Sequence, residues 1–285
     1  TKTMNTPSRP RATKIICTIG PATDTSDMLG QLIEAGANVF RLNMSHSKHD
    51  WVREVVFRIR RKAAELEANV AILFDLQGPS IRTGDLAEPY HLKKGDTVEI
   101  RLGTAKPELP FSTTVNYDGL LQDVQAGHTM VVDNGGILMR IAEVRPDRLI
   151  CDVLTEGVFG SRRHINLPGV ALRLPALTEK DLADLAVAVE CETDYVAMSF
   201  VRDAAHIAQL REHIDNLGGK AQIVAKIEDQ QAVRHIDDII LAADVIMVAR
   251  GDLGIEVSIE ELPIIQRRIV RHCHRLGRRC IVATH

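Results

Sequence analysis

The stretch VIMVARGDLG, residues 245–254, is an apolar run that turns without warning into Arg250-Gly251-Asp252. Such a run belongs in a core, where an unpaired carboxylate is costly to bury. Asp252 at its tip is therefore either a helix cap or part of a charged site, and the rest of the chain decides between them. The same kind of strand recurs: KIICTIG (14–20), NVFRLN (38–43), VAILFDL (70–76), YVAMSF (195–200), QIVAKI (222–227), VIMVA (245–249) and CIVAT (280–284). Between them lie helical stretches such as DMLGQLIEAGA, residues 50–68, and TEKDLADLAVAVE, whose Thr178 and Asp181 suit a capped start. Strand–helix alternation predicts parallel strands joined by right-handed crossovers, and runs this apolar belong to a sheet covered on both faces.

One segment breaks the rhythm. From about Gly84 to Leu174 the helical period gives way to short alternating strands, among them LKKGDTVEIRL, TMVVDNGGILMRIAEV and DRLICDVL. Asp133-Asn134-Gly135-Gly136 reads as a hairpin turn, because Asn and Gly tolerate positive φ. The expected organisation is a disordered tail (1–12), a first α/β part (13–83), an inserted all-β lid (84–174) and a second α/β part (175–285).

The composition sets limits. With 285 residues, 45% hydrophobic, 26% charged and a net charge of −3, the chain can bury a large core. That balance gives no reason to expect a nucleic-acid or membrane partner. No apolar run approaches the roughly 18 residues that span a bilayer. The five cysteines are scattered without a CxxC, which suits reduced thiols and a cytoplasmic location. The basic stretch RRIVRHCHRLGRR (267–279) reads as the solvated face of an amphipathic helix, since Ile265, Ile269, Cys273 and Leu276 fall at helical spacing.

The polar groups gather at one end of the strands. Arg41, Asn43 and Ser45 fall at i, i+2 and i+4, hence on one side of an extended chain. Asp75 ends the third strand, Ser199 the fourth and Thr284 the seventh; Lys226 and Glu228 share a side at the tip of the fifth, Arg250 and Asp252 at the tip of the sixth. Each has a plain alternative: a strand-end Asp is commonly a cap, Lys226 and Glu228 could pair with each other, and Arg41 could clamp a carboxylate. Independent caps would not set so many charges on one rim, and carboxyl ends of parallel strands are where such folds assemble chemistry. Glu228 and Asp252 are hard oxygen ligands suited to Mg²⁺ or Mn²⁺. Lys226 suits a phosphoryl oxygen or an enolate, and Arg41 a phosphate.

The segments TKIICTIGPAT, GANVFRLNMSHS, AILFDLQGPSIRTGD, INLPG, LPALTEKD, IVAKIED and VIMVARGDLGIEV resemble, in order and spacing, those of pyruvate kinases, from about Thr13 to the last residue. The resemblance implies a (β/α)8 TIM barrel, here of about seven strands, with the inserted lid. It implies transfer of the phosphoryl group of phosphoenolpyruvate to ADP, the last step of glycolysis, giving pyruvate and ATP. In those terms Glu228 and Asp252 hold Mg²⁺ (or Mn²⁺). Lys226 stabilises the phosphoryl group and the enolate, and Arg41 helps hold both substrates. Ser199, Ala249, Arg250, Gly251, Asp252 and Thr284 belong to the phosphoenolpyruvate pocket, with Thr284 near the proton path. Asn43, Ser45, Asp75 and the Leu76 carbonyl match a K⁺ site. Arg82 and Arg163 match nucleotide-phosphate contacts, and Asn43 and His46 lie in the same nucleotide-side motif.

The chain departs from the family pattern at several positions. Ser80 stands where potassium-dependent members usually carry Glu and independent ones Lys, so weak activation by potassium is expected. Arg163 replaces a frequent Lys, His164 a Gly, Asn134 a common Asp and His285 a Gln. Family members continue through an eighth strand and a regulatory domain, so a longer protein, assembling as a homotetramer, is expected. The competing readings are a metal-dependent pyruvate-enolate lyase or aldolase, which would need no nucleotide lid, and a catalytically weak truncated relative.

Overall fold

The computed structural model describes residues 12–283. Thr284, His285 and all but the last residue of the expected 1–12 tail lie outside the described residues. The chain divides into two compact units: Thr1–Leu76 with Ala183–Ala197 and Ile214–Gln222, and Gln77–Leu182 with Met198–His213 and Ile223–His285.

The first unit is built on parallel strands β1 (Ile16–Ile19), β2 (Val39–Asn43), β3 (Ala71–Asp75) and β4 (Tyr195–Met198), in that order. Each lies within the range expected for it and is shorter by one to three residues. The register sets Thr18 beside Arg41 and Asn43 beside Asp75. Helix Ser26–Glu34 starts at Thr25, whose side chain accepts from the Met28 N–H at 3.3 Å. Helix His49–Glu65 buries Val52, Val55, Val56, Ile59 and Ala63, one stripe at helical spacing. Each of the valine and isoleucine side chains contributes roughly 1.5–3 kcal/mol. It stops short of the expected Ala68 because Glu67 turns to φ 49°.

The second unit carries the parallel strands β5 (Gln222–Ile227), β6 (Val245–Ala249) and β7 (Arg279–Ala283). Lys226 pairs with Met247 across β5 and β6, and Ala249 with Ala283 across β6 and β7. Every residue of β6 is buried, as its composition requires. The basic stretch lies on helix Leu262–Arg275, with Ile269 and Cys273 inward.

The same unit holds a six-stranded sheet in the order Ile165–Asn166, Thr129–Val132, Ile137–Val144, Arg148–Val153, Thr97–Arg101, Phe111–Thr114. The Asp133–Gly136 turn forms as expected, with φ of 57°, 53° and 98° at Asp133, Asn134 and Gly135. The module's core joins Val98, Ile100, Met130, Val132, Met139, Ile141 and Phe159. Beneath it Glu99, fully buried, meets Arg148 at 2.8 Å.

Two expectations at the strand tips need correction. Ser45 does not continue β2: the strand ends at Asn43 and the chain turns there, with Asn43 Oδ1 accepting from the Ser45 N–H at 3.1 Å. Arg250 and Asp252 do not extend β6 either. They open helix Arg250–Glu256, so the pair is set by helical rather than strand geometry. The apolar run ends at Ala249 because the next residues satisfy their backbone groups helically.

Candidate active site

Within the first unit, neighbouring strands place Arg41 beside two partners. Its Nε donates to Asp75 Oδ2 at 2.7 Å, its Nη2 lies 2.6 Å from the same oxygen, and its Nη1 donates to Thr18 Oγ1 at 2.9 Å. Asp75 is 1% exposed, so the guanidinium also compensates a buried charge. The clamp considered as an alternative role for Arg41 is thus present, and its solvent-facing side stays open to an anion: 25% of the side chain is exposed. Asn43 and Ser45 share the turn after β2, His46 beyond them is exposed, and the buried Leu76 follows Asp75.

Within the second unit, Lys226 on β5 points its ammonium at two groups. Nζ donates to Ser199 Oγ at 2.7 Å and lies 2.9 Å from Glu228 Oε1. The other Glu228 oxygen accepts from the Phe200 N–H at 2.5 Å. Burial pushes the Glu228 carboxyl up to about 7, with Lys226 opposing and Asp252 adding to the rise. A carboxyl this strained toward its neutral form gains most from a cation, which favours the charged form.

Ala249, Arg250 and Gly251 follow at the end of β6, and Arg250 Nε donates to the Ala283 carbonyl at 3.0 Å. Two further candidate arginines, Arg82 and Arg163, belong to this unit. Arg82 Nε donates to Ser80 Oγ at 3.3 Å and its Nη1 to the Arg162 carbonyl at 3.1 Å. Arg163 reaches Asp133 at 3.3 Å, and its Nε is buried with no partner among the described residues. His164 pairs backbone with Arg82 and sets its ring against Phe200, centroids 6.0 Å apart. Burial and the Arg82 charge hold its imidazole below the usual range.

A divalent cation fits this donor set. Glu228 and Asp252 offer two hard carboxylates, one of them fully desolvated, and among the described residues no third His, Cys, Asp or Glu completes a cage. Mg²⁺ characteristically takes one or two carboxylates and completes its sphere with substrate and water.

The model for the pyruvate kinase barrel domain matches residues 10–285. The chain belongs to the pyruvate kinase family. It is 40% identical over 281 residues to the plastidial pyruvate kinase 2 of Arabidopsis thaliana, covering 98% of this chain and 48% of that protein. It is 39% identical over 274 residues to a pyruvate kinase of Clostridium perfringens, covering 95% and 58%. A crystal structure of a pyruvate kinase from Cryptosporidium parvum superposes with a TM-score of 0.92 at 33% identity, over 96% of this chain and 57% of that one. The chain therefore spans about half the length of the relatives it matches, and its α/β fold is that of the family's barrel domain. Among the described residues no helix is long and apolar enough to cross a membrane.

Sequence reasoning passed over three participants. Phe200 holds Glu228 through its backbone at φ 56°, a conformation an aromatic residue seldom adopts and one that composition does not announce. Thr18 is an ordinary strand residue until the register sets it beside Arg41. Asp181, read as a cap, does bond the Thr178 N–H at 2.8 Å, but its other oxygen accepts from Gly78 at 2.9 Å.

Proposed function

We propose that the protein is a pyruvate kinase, transferring the phosphoryl group of phosphoenolpyruvate to ADP to give pyruvate and ATP. The observation that carries this reading is the Ser199–Lys226–Glu228 group, an ammonium held beside a buried carboxyl that burial drives toward neutrality. In this reading Glu228 and Asp252 hold Mg²⁺ or Mn²⁺. When bound, that ion withdraws charge from the phosphoryl and enolate oxygens.

The chain's own residues supply the rest. Lys226 offers a fixed positive charge to the transferring phosphoryl group and then to the enolate oxygen. It needs no reorganisation, because Ser199 and Glu228 already aim it. Arg41 gives its open guanidinium face to substrate phosphate. Ala249, Arg250 and Gly251 line the phosphoenolpyruvate pocket in this reading, and proton delivery is the role assigned to Thr284. Arg82 and Arg163 take nucleotide phosphates, in the same nucleotide-side region as Asn43 and His46. An oxygen of the ADP β-phosphate attacks phosphorus, the bond to the enol oxygen breaks, and the enolate is protonated at its methylene carbon. Residues 84–174 serve as the lid whose closure excludes water and so prevents hydrolysis.

Asn43, Ser45, Asp75 and the Leu76 carbonyl form the K⁺ site in this reading. Ser80 brings no charge of its own to it, so potassium should activate weakly; equal kcat/KM with and without potassium in a tetraalkylammonium buffer would refute this. In this reading the full-length protein is a cytoplasmic homotetramer; light scattering on the purified protein checks the oligomeric state. A coupled assay of pyruvate formation tests the activity itself. Turnover should require phosphoenolpyruvate, ADP and Mg²⁺ together, and pyruvate release without ADP would overturn the reading.

A further inference from the structure

Asp181 is a fully buried carboxylate that bonds to two places far apart in the sequence. Its Oδ2 accepts from the Thr178 N–H at 2.8 Å and from the Thr178 hydroxyl at 2.7 Å. Thr178 Oγ1 accepts in turn from the Asp181 N–H at 3.1 Å. That reciprocal pair starts helix Glu179–Glu190. The other carboxylate oxygen has no part in it: Oδ1 accepts from the Gly78 N–H at 2.9 Å, 103 residues earlier in the chain. A helix start needs only the first set of bonds. Burying the carboxylate completely among these neutral donors is costly, so the helix start alone does not account for its place.

Gly78 carries the effect onward. At φ 71° it lies against Ser199 and Phe200 so closely that a Cβ there would come 2.9 Å from Ser199 Cβ, 3.1 Å from the Ser199 carbonyl oxygen and 3.1 Å from Phe200 Cδ2. These two residues hold the charged pair. Ser199 Oγ accepts from Lys226 Nζ at 2.7 Å, and the Phe200 N–H donates to Glu228 Oε2 at 2.5 Å. Phe200 does so at φ 56°, a conformation that persists in a bulky residue only where its surroundings fix it. All six residues belong to the second compact unit. A hydrogen bond and a close-packed contact therefore connect the buried carboxylate to the two groups that aim Lys226 and Glu228.

We propose that Asp181 is a positioning residue for the phosphoryl-transfer site. It pins Gly78, and Gly78 presses Ser199 and Phe200 into the places from which they hold Lys226 and Glu228. The consequence for turnover rests on the pyruvate kinase reading; the coupling rests on the contacts alone.

Three variants of the full-length protein separate this role from the helix start: Asp181→Glu, Asp181→Ala and Thr178→Ala. Glutamate three residues after threonine is the usual partner in such a start, so Asp181→Glu keeps the helix while its longer arm carries the oxygen past Gly78. Thr178→Ala does the reverse, weakening the helix start and leaving Gly78 its acceptor. Steady-state kinetics, thermal melts and residue-resolved hydrogen exchange are read on each. Both Asp181 variants should lower kcat about tenfold, the scale of effects that misplace a catalytic group. The KM for ADP should stay within about threefold of the parent, because the displaced charge serves the transition state. Exchange at the Phe200 amide should quicken in both. Thr178→Ala should lower the melting temperature yet keep kcat near the parent value and leave the Phe200 amide protected. Equal losses of kcat in Thr178→Ala and Asp181→Glu, or a Phe200 amide as protected in Asp181→Glu as in the parent, would overturn the proposal. If Asp181→Ala does not fold, the other two variants decide by the same readings. Should the parent protein show no phosphoryl transfer, the functional reading fails, while the Phe200 amide still decides the coupling.

Discussion

At the scale of single residues, Lys226 and Glu228 form the centre of the account. They stand two apart at the end of β5, and because side chains alternate along a strand both fall on one side. Replacing Lys226 with Met should lower kcat by roughly 10²–10³-fold, the usual cost of losing one preorganised electrostatic donor. The fold should survive, because a Glu228 carboxyl already pushed up to about 7 can stay protonated without its ammonium partner. A melting curve alongside the kinetics checks both halves. Arg82→Ala should raise the KM for ADP while leaving that for phosphoenolpyruvate near its parent value, which initial-rate measurements at varied ADP read directly. The i, i+2 logic that exposed Lys226 and Glu228 failed one strand later: Arg250 and Asp252 have the same spacing, but the backbone turns helical at Arg250. Phe200 was invisible for another reason, since its contribution is a backbone N–H presented by a positive φ.

At the scale of elements, the turn Gln77-Gly78-Pro79 supports Ser199. Gly78 sits at φ 71°, and a Cβ there would come 2.9 Å from that of Ser199. Gly78→Ala should therefore cost about 1–3 kcal/mol of stability, and it should lower kcat by displacing the hydroxyl that aims Lys226. Denaturant melts and kinetics on one preparation test the pair of effects. In the all-β module, Glu99→Gln breaks a fully buried pair with Arg148 and should cost roughly 3–5 kcal/mol. Hydrogen exchange should show the loss in Thr97–Arg101 and Arg148–Val153 first.

The helix ending at Glu256 has a pH signature of its own. Burial, with the nearby Asp229 and Asp252 charges, raises its carboxyl from 4.5 to about 7 in the folded chain. A carboxyl whose folded value lies above its unfolded value stabilises fully below the unfolded value, and that stability is lost as pH rises through the folded value. Between those limits the metal-free parent should lose stability relative to Glu256→Gln, by up to about 1.4 kcal/mol per pH unit. Urea midpoints of the two proteins across this range give the difference. The module's presence was legible from the lost helical period, and its hairpin from Asp133-Asn134-Gly135-Gly136. Its sheet order was not, because Thr97–Arg101 pairs in parallel with Phe111–Thr114, a long-range choice with no local signal.

For the molecule as a whole, the parallel strands were readable as apolar runs with polar tips, and the helices between them as periodic stripes. Boundaries were the weak point, since capping and left-handed residues such as Glu67 decide them and hydrophobic period does not. The rim charges could be gathered from strand ends, whereas the contacts that hold them came only with the register: Thr18 beside Arg41, and Ser199 with Phe200 around Lys226 and Glu228. The central proposal is that the protein transfers a phosphoryl group to a nucleotide, with Lys226 stabilising the group in transit. Phosphorus NMR of the full-length protein with phosphoenolpyruvate, ADP and Mg²⁺ tests it most directly. The phosphoenolpyruvate signal should be replaced one for one by the γ-phosphate of ATP, and Lys226→Met should slow that exchange to near the background. Release of inorganic phosphate in place of ATP, or a Lys226→Met protein as fast as its parent, would contradict the account.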